Sequence, residues 1–209
     1  MTRVDRAGKL SEMTMLKFHH APQSRSGRVH WLLHELDVPF ELVRTDIPRR
    51  DGTGGRDPKN PHPDGKVPAL KHDGELVTES GAIMLYLTDL YPERRLGVAP
   101  GEPGRGAYLT WLYWYVGVVE PVYLLEVLGV ADHPAAQSTF RDRAAVAARL
   151  IAALEAGPWL MGKRFTAADI LLCSPYLYFP DATPDHPFVR DWIARCTARP
   201  AYARAQEAD

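Results

Sequence analysis

Hydrophobic positions change their period along this chain, and the changes divide it. Leu16-Lys17-Phe18-His19 forms a short strand pattern, followed by Ala21 to Gly27, a polar loop with a proline and a glycine. Val29, Leu32, Leu33 and Leu36 then recur at i, i+3, i+4 and i+7, the stripe of a helix with one buried face. Phe40-Glu41-Leu42-Val43 alternates as a second strand. Pro48 to Pro63 is rich in Gly, Pro, Asp and Arg, which predicts an exposed, mobile loop. Ala69-Leu70-Lys71-His72 and Glu75-Leu76-Val77-Thr78 flank Asp73-Gly74, a strong hairpin signal. Ile83, Leu87 and Leu90 mark the next helix, so the order is β-α-β, long loop, ββ-α.

Arg94 to Gly104, with Pro100, Pro103 and Gly97, Gly101 and Gly104, reads as a linker. Every periodic segment beyond it is helical. A long aromatic helix, Tyr108 to Leu128, carries Pro121, which predicts a kink. Another helix runs from about Gln137 to Leu154, with its apolar stripe at Val146, Leu150, Ile151 and Leu154. Thr166-Ala167-Ala168-Asp169 stands before Ile170-Leu171-Leu172 with the spacing of a capping box, Asp replacing the usual Glu or Gln. A last helix carries Phe188, Trp192, Ile193 and Cys196. The resulting division is a polar extension over residues 1–14 expected to be disordered (with Met13 and Met15 as alternative starts), an α/β domain over 15–93, a linker over 94–104 and an all-α domain over 105–209.

Composition narrows the function classes. The 209 residues carry 25 basic against 26 acidic side chains, and the basic ones are scattered, which gives no nucleic-acid or membrane footprint. No apolar run approaches the roughly 18 residues a bilayer span needs. The two cysteines, Cys173 and Cys196, lack CxxC spacing, which fits a reducing cytoplasm; both sit on apolar helix faces and read as inert core residues. His19 and His20 follow a strand, and His30 and His34 are spaced i, i+4 on a helix. Without an HExxH pattern or an accompanying acid they read as surface histidines, not metal ligands.

The chemistry concentrates in two places. Ser24, Arg25 and Ser26 precede the first helix, whose N-terminus offers unpaired N–H groups and the positive end of the helix dipole to an anion. Ser24 or Ser26 could equally be an ordinary N-cap. Gly65-Lys66-Val67-Pro68-Ala69-Leu70 puts a proline at a strand start, and Glu79-Ser80 opens the helix after the hairpin. These pieces offer backbone and polar groups suited to the ends of a small peptide.

Taken with the domain order, the run from Val67-Pro68 to Glu79-Ser80 resembles the glutathione-binding half of the soluble, cytosolic-type glutathione transferases. Phe165-Thr166-Ala167-Ala168-Asp169-Ile170 looks like that family's buried capping motif, and Arg199-Pro200-Ala201-Tyr202 like its usual ending, so the likeness runs from about Leu16 to Ala205. The resemblance implies a thioredoxin-like α/β N-terminal domain followed by an all-helical C-terminal domain. It implies a cis Val67-Pro68 bond, backbone pairing of Val67 with the cysteinyl unit of glutathione, and Glu79 and Ser80 at the γ-glutamyl end; Lys66 completes the proposed glutathione site. In the loop that holds Ser, Tyr or Cys in the family, Ser24 is the expected thiol-activating residue, with Ser26 its competitor. An apolar electrophile is expected against the aromatic surface of the helix that carries Trp111, Trp114 and Tyr115, alongside Tyr113 and Tyr123.

The expected reaction is attack of the glutathione thiolate on a small hydrophobic electrophile. Glutathione is then a co-substrate, with no tightly bound cofactor, and the resemblance implies a cytoplasmic homodimer acting in detoxification. A glutathione-dependent isomerase of the maleylacetoacetate type is the second reading. Those enzymes carry Ser-Ser-Cys where this chain has Gln23-Ser24-Arg25, which counts against it. The third is a non-catalytic relative that binds ligands or protein. With no cysteine in the first domain, a mixed disulfide formed on the protein at the active loop is disfavoured.

Overall fold

The computed structural model describes residues 3–4, 10–11 and 15–207. The expected disordered extension over 1–14 lies outside the described residues except for two short strands, β1 (Arg3–Val4) and β2 (Leu10–Ser11), paired antiparallel. The chain then forms two compact units. The first runs to Ile83 and takes in the C-terminal turn from Arg204; the second is Met84–Ala203.

The first unit is built on β3 (Leu16–His20), α1 (Gly27–Leu36), β4 (Phe40–Arg44), β5 (Ala69–His72), β6 (Glu75–Thr78) and the start of α2 (Ser80–Leu90). The four-stranded sheet has the order β4-β3-β5-β6, with β3 parallel to β4 and antiparallel to β5. The β-α-β, ββ-α order read from the sequence is therefore the observed one. Val29, Leu32, Leu33 and Leu36 are all fully buried, as their spacing required, and join Leu16, Phe18 and Leu70 in the core. Removing each such side chain from water stabilises the fold by about 1.5–3 kcal/mol. Asp73 (φ 52°) and Gly74 (φ 82°) both take the left-handed backbone that a two-residue hairpin turn needs.

Residues 48–63 carry no strand or helix and are mostly exposed, but side chains tether them. Asp57 accepts from the Asp46 and Lys59 N–H groups at 3.1 and 2.8 Å. Arg56 donates to the Pro63 carbonyl at 2.7 Å, and Arg49 to the Pro22 carbonyl at 3.1 Å.

The second unit contains the rest of α2, then α3 (Arg105–Trp114), α4 (Glu120–Val127), α5 (Pro134–Phe140), α6 (Arg143–Glu155), α7 (Ala167–Tyr178), α8 (Pro187–Thr197) and most of α9 (Pro200–Gln206). The single aromatic helix expected over 108–128 is two helices joined by a π-helical turn, Tyr115–Val119. Pro121 sits in the first turn of α4, and the Glu120 N–H reaches back to the Tyr115 carbonyl, five residues away. Proline supplies no N–H and crowds the preceding turn, so the chain widens there instead of simply bending. The helix expected over 137–154 is also two: Arg141 adopts φ 68°, and Asp142 caps α6 by accepting from the Ala145 N–H at 2.8 Å. Val146, Leu150 and Leu154 face inward as their spacing indicated, whereas Phe188 is exposed beside the buried Val189, Trp192 and Cys196.

Two polar centres fix this unit. Arg105 forks onto Asp89 and also donates to the Val98 carbonyl, while Arg164 binds Glu102 and the carbonyls of Arg95 and Gly97. Residues 95–102, in the segment read as a linker, are thereby held from both sides. The second centre is Asp169, fully buried, which accepts from the N–H groups of Leu160 (2.9 Å), Thr166 (2.9 Å) and the Trp192 indole (3.0 Å), and from the Thr166 hydroxyl (3.3 Å). Thr166 and Asp169 stand at the N-cap and third positions of α7, the spacing read from the sequence.

Candidate functional site

Strand register decides which candidate residues share a neighbourhood. Lys17 pairs with Lys71, Phe18 with Leu70 and His19 with Ala69, so the C-terminal end of β3 lies beside the N-terminal end of β5. Ala69 in turn pairs with Thr78 of β6. The loop after β3, the Val67-Pro68 bond before β5 and Glu79-Ser80 after β6 all leave the same end of the sheet. Adjacent strands lie about 4.8 Å apart, so the three segments span about 10 Å.

The Val67-Pro68 peptide is cis, as expected. Val67 and Pro68 are buried, while Lys66 before them is exposed. Asn60, which sequence reasoning missed, donates its amide to the Lys66 carbonyl at 2.9 Å and accepts from the His62 N–H at 3.0 Å. Its amide therefore braces the backbone one residue ahead of the cis bond. Inside a run read as a mobile loop, only its buried position distinguishes it from any loop asparagine. Glu79 is exposed and takes φ 66°, an uncommon conformation for a residue with a side chain and one that recurs at ligand-holding positions. Its carbonyl accepts the Ile83 N–H at 2.9 Å, and Ser80 is buried at the first position of α2.

In the loop after β3 the two serines are not equivalent. Ser26 is the N-cap residue of α1 but has helical backbone angles, and its hydroxyl makes no capping bond. It turns back into the loop and is fully buried, with Oγ 2.8 Å from His20 Nδ1, 2.7 Å from Ser24 Oγ, 3.2 Å from the Ala21 carbonyl, and accepting the Ala21 N–H at 3.2 Å. Ser24 is part-exposed; its hydroxyl lies 2.7 Å from the Ala21 carbonyl and accepts the Ser26 N–H at 3.2 Å. Of the two, Ser24 is the one a ligand can reach.

The histidines depart from the surface reading. His19, His20 and His30 are 6%, 0% and 1% exposed. The first two occupy a strand with neighbours on both sides, and His30 lies on the inward face of α1. The His20 and His30 rings are 5.1 Å apart, centre to centre, and His30 Nε2 meets His34 Nε2 at 3.1 Å. Burial, then the nearby Arg204 guanidinium, pulls the His34 imidazole below its ordinary range. Among the described residues no group of His, Cys, Asp and Glu is arranged to hold a metal.

The aromatic residues of the second unit divide as a helix with a widened turn divides them. Trp111 and Tyr115 are buried, Trp114 is part-exposed and Tyr113 is exposed. Trp111 and Trp114 meet edge to face at 5.4 Å, and the Arg149 guanidinium lies over both, 5.1 and 4.3 Å from the ring centres. Tyr115 and Trp111 are thus core residues, and of the three residues expected at the electrophile site only Trp114 is part-exposed. Tyr123 hydrogen-bonds Tyr176 through their hydroxyls at 3.0 Å. Cys173 and Cys196 are both free and buried, and burial pushes the Cys196 thiol well up, so neither is a ready nucleophile.

Comparison with known proteins gives this geometry its context. Residues 18–95 match the family model "Glutathione S-transferase, N-terminal domain". Among curated relatives, the disulfide-bond oxidoreductase YfcG of Escherichia coli strain K12 is 29% identical over 215 residues, covering 91% of this chain and 94% of that one. Glutathione S-transferase GstA of Escherichia coli O157:H7 is 31% identical over 160 residues, covering 75% and 79%. Among solved structures, a sphingomonad glutathione S-transferase complexed with glutathione superposes with a TM-score of 0.72 at 28% identity, covering 92% of this chain and 98% of that one.

Proposed function

The chain belongs to the glutathione S-transferase family, and from that premise we propose that it binds glutathione at the shared end of the sheet and transfers the thiolate to a small apolar electrophile. The observation that carries the proposal is the convergence of an accessible hydroxyl at Ser24, the cis Val67-Pro68 bond and Glu79-Ser80 within about two strand spacings. A tripeptide in extended form spans about 10–11 Å, the same reach. The cysteinyl unit pairs with the Val67 backbone, the γ-glutamyl end meets Glu79 and Ser80, and Lys66 faces the carboxylates.

In this reading Ser24 donates a hydrogen bond to the sulfur. A hydroxyl that donates to an anion makes a stronger bond than one donating to a neutral thiol, so the contact favours the ionised form and raises the thiolate fraction at neutral pH. The thiolate then attacks an electrophilic carbon, the C–S bond forms as the leaving group departs with its electron pair, and the product is a thioether. Holding both reactants supplies much of the acceleration. Trp114, backed by the buried Trp111, is the proposed apolar contact for the electrophile. Homodimeric assembly, a cytoplasmic location and a role in detoxification belong to the same proposal.

The test is the initial rate of thioether formation from glutathione and an activated aryl halide. Purified protein is expected to accelerate it, and Ser24→Ala to lower kcat with little change in glutathione affinity. No acceleration above the uncatalysed rate would set the transferase reading aside.

The likeness to YfcG over nearly the whole chain favours a second reading, thiol–disulfide exchange. The bound glutathione thiolate would attack one sulfur of a disulfide and expel the other as a thiolate, which needs no cysteine from the protein. A glutathione-dependent release of free thiol from a small disulfide, faster than thioether formation, would establish it.

A further inference from the structure

The shortest contacts around the two serines select one assignment of protons, over the longer 3.2 Å contact that Ser26 Oγ makes with the Ala21 carbonyl. Three short contacts run in series: Ala21 carbonyl to Ser24 Oγ at 2.7 Å, Ser24 Oγ to Ser26 Oγ at 2.7 Å, and Ser26 Oγ to His20 Nδ1 at 2.8 Å. At such distances each contact needs a hydrogen between the two heavy atoms. The Ala21 carbonyl carries none, so the first contact takes the Ser24 hydroxyl proton. The second must then take the Ser26 proton. Nothing but His20 is left to supply the third, so His20 Nδ1 carries a hydrogen and donates it.

The lone pairs are filled in the same step. Ser26 Oγ accepts from the Ala21 N–H and from His20; Ser24 Oγ accepts from the Ser26 N–H and from the Ser26 hydroxyl. A hydroxyl oxygen has two acceptor positions, and both are taken at each serine. Ser24 is left able only to donate.

We propose that His20 is a positioning residue which, through Ser26, orients the Ser24 hydroxyl as an obligate donor toward an anionic sulfur. This rests on the reading that Ser24 activates glutathione. When the thiolate binds, the Ser24 hydrogen turns from the Ala21 carbonyl to the sulfur and that 2.7 Å contact lengthens, while the hydrogens from His20 to Ser26 and from Ser26 to Ser24 stay in place. A neutral thiol gains nothing equivalent, because its S–H finds no acceptor on Ser24. The chain therefore discriminates the thiolate from the thiol, the discrimination that lowers a bound thiol's pKa. Beside the His20 ring stand Phe18 on its own strand and His30 of α1, which itself bonds His34.

The test is the ultraviolet thiolate absorbance of protein-bound glutathione against pH, with glutathione affinity measured calorimetrically in the same variants. His20→Leu removes the donor and keeps a buried side chain. His20→Asn keeps an N–H donor one bond beyond Cγ, where Nδ1 stands. In His20→Leu the thiol titration is expected to move about half to one pH unit alkaline, a roughly three- to tenfold smaller thiolate fraction at neutral pH, with affinity for the neutral thiol within about twofold. His20→Asn should restore most of it. The Ser24→Ala and His20→Leu double variant should titrate no higher than Ser24→Ala alone, since the chain ends at Ser24.

An unmoved titration in His20→Leu, an equal shift in His20→Asn, or additive shifts in the double variant would overturn the proposal while leaving Ser24 in place. No shift in Ser24→Ala would instead remove the activating role of Ser24, and this chain with it. Ser26→Ala cuts the same chain at its middle and reads it independently if His20→Leu does not fold; a titration unmoved there overturns the proposal equally.

Discussion

Asp169→Ala should be among the most damaging single changes in the second unit, and its cost follows from a count of stranded donors. The carboxylate accepts from the Leu160, Thr166 and Trp192 N–H groups at 2.9, 2.9 and 3.0 Å, and Thr166 and Trp192 are fully buried. Alanine leaves all three without an acceptor. A stranded buried donor costs about 1–3 kcal/mol, so even the low end sums to about 3 kcal/mol. Relief from burying a charge offsets part of the upper range, which puts the expected loss at about 3–5 kcal/mol. Typical domain stabilities are about 5–15 kcal/mol, so the variant should remain folded but marginal. Urea unfolding followed by tryptophan fluorescence reads this unit well, because Trp111, Trp114, Trp159 and Trp192 lie in it and only Trp31 lies in the first. The midpoint should fall with the slope unchanged. A loss below about 1 kcal/mol would refute the reasoning, since it would mean the donors find water or other acceptors at no cost.

The same group sets a pH dependence. Burial pushes the Asp169 carboxyl up to about 6 against four hydrogen bonds that pull it down, so the folded state holds the proton more tightly than the unfolded chain. Its contribution to stability is full below about pH 3 and declines as pH rises through 6; the wild-type minus Asp169→Asn difference in unfolding free energy should fall by about 2 kcal/mol from pH 4 to 7, and a flat difference would contradict this. Asn60→Ala frees the Lys66 carbonyl and should weaken glutathione binding about five- to tenfold in calorimetry with the fold intact, whereas an unaltered Kd would show that the backbone there needs no brace. Trp114→Ala should raise KM for an apolar electrophile several-fold and leave glutathione affinity alone; the reverse pattern would remove this face from the electrophile site.

The fold was legible where local chemistry and burial agree. The i, i+3, i+4, i+7 stripe from Val29 to Leu36, the Asp73-Gly74 turn and the Thr166–Asp169 spacing each express a requirement of the backbone at that position, and each stands as read. The widened turn at Tyr115–Val119 was not legible, because a proline in a helical pattern signals a disturbance without specifying whether the chain bends or adds a residue to the turn. The break at Arg141 was hidden for a related reason: neither a glycine nor a proline marks it, and the cap comes from Asp142, a residue equally ordinary in a helix surface. At the candidate site the sequence supplied Ser24 and Ser26 but not their difference. Only the fold buries Ser26 against His20 and leaves Ser24 reachable. The buried histidines were missed because strand and helix patterns do not say which face of β3 or α1 is covered, and Asn60 because a brace across six residues leaves no periodic trace.

The most direct measurement on the central claim is calorimetric titration of glutathione into the wild-type chain and into the Glu79→Ala, Ser80→Ala double variant. Saturable binding by the wild type is expected, weakened about tenfold or more in the double variant, with the unfolding free energy lowered by no more than about 1–2 kcal/mol, since Glu79 is exposed and Ser80 is a small buried side chain at the helix start. Absence of saturable glutathione binding by the wild type, or identical affinity in the double variant, would contradict the assignment of glutathione to this end of the sheet.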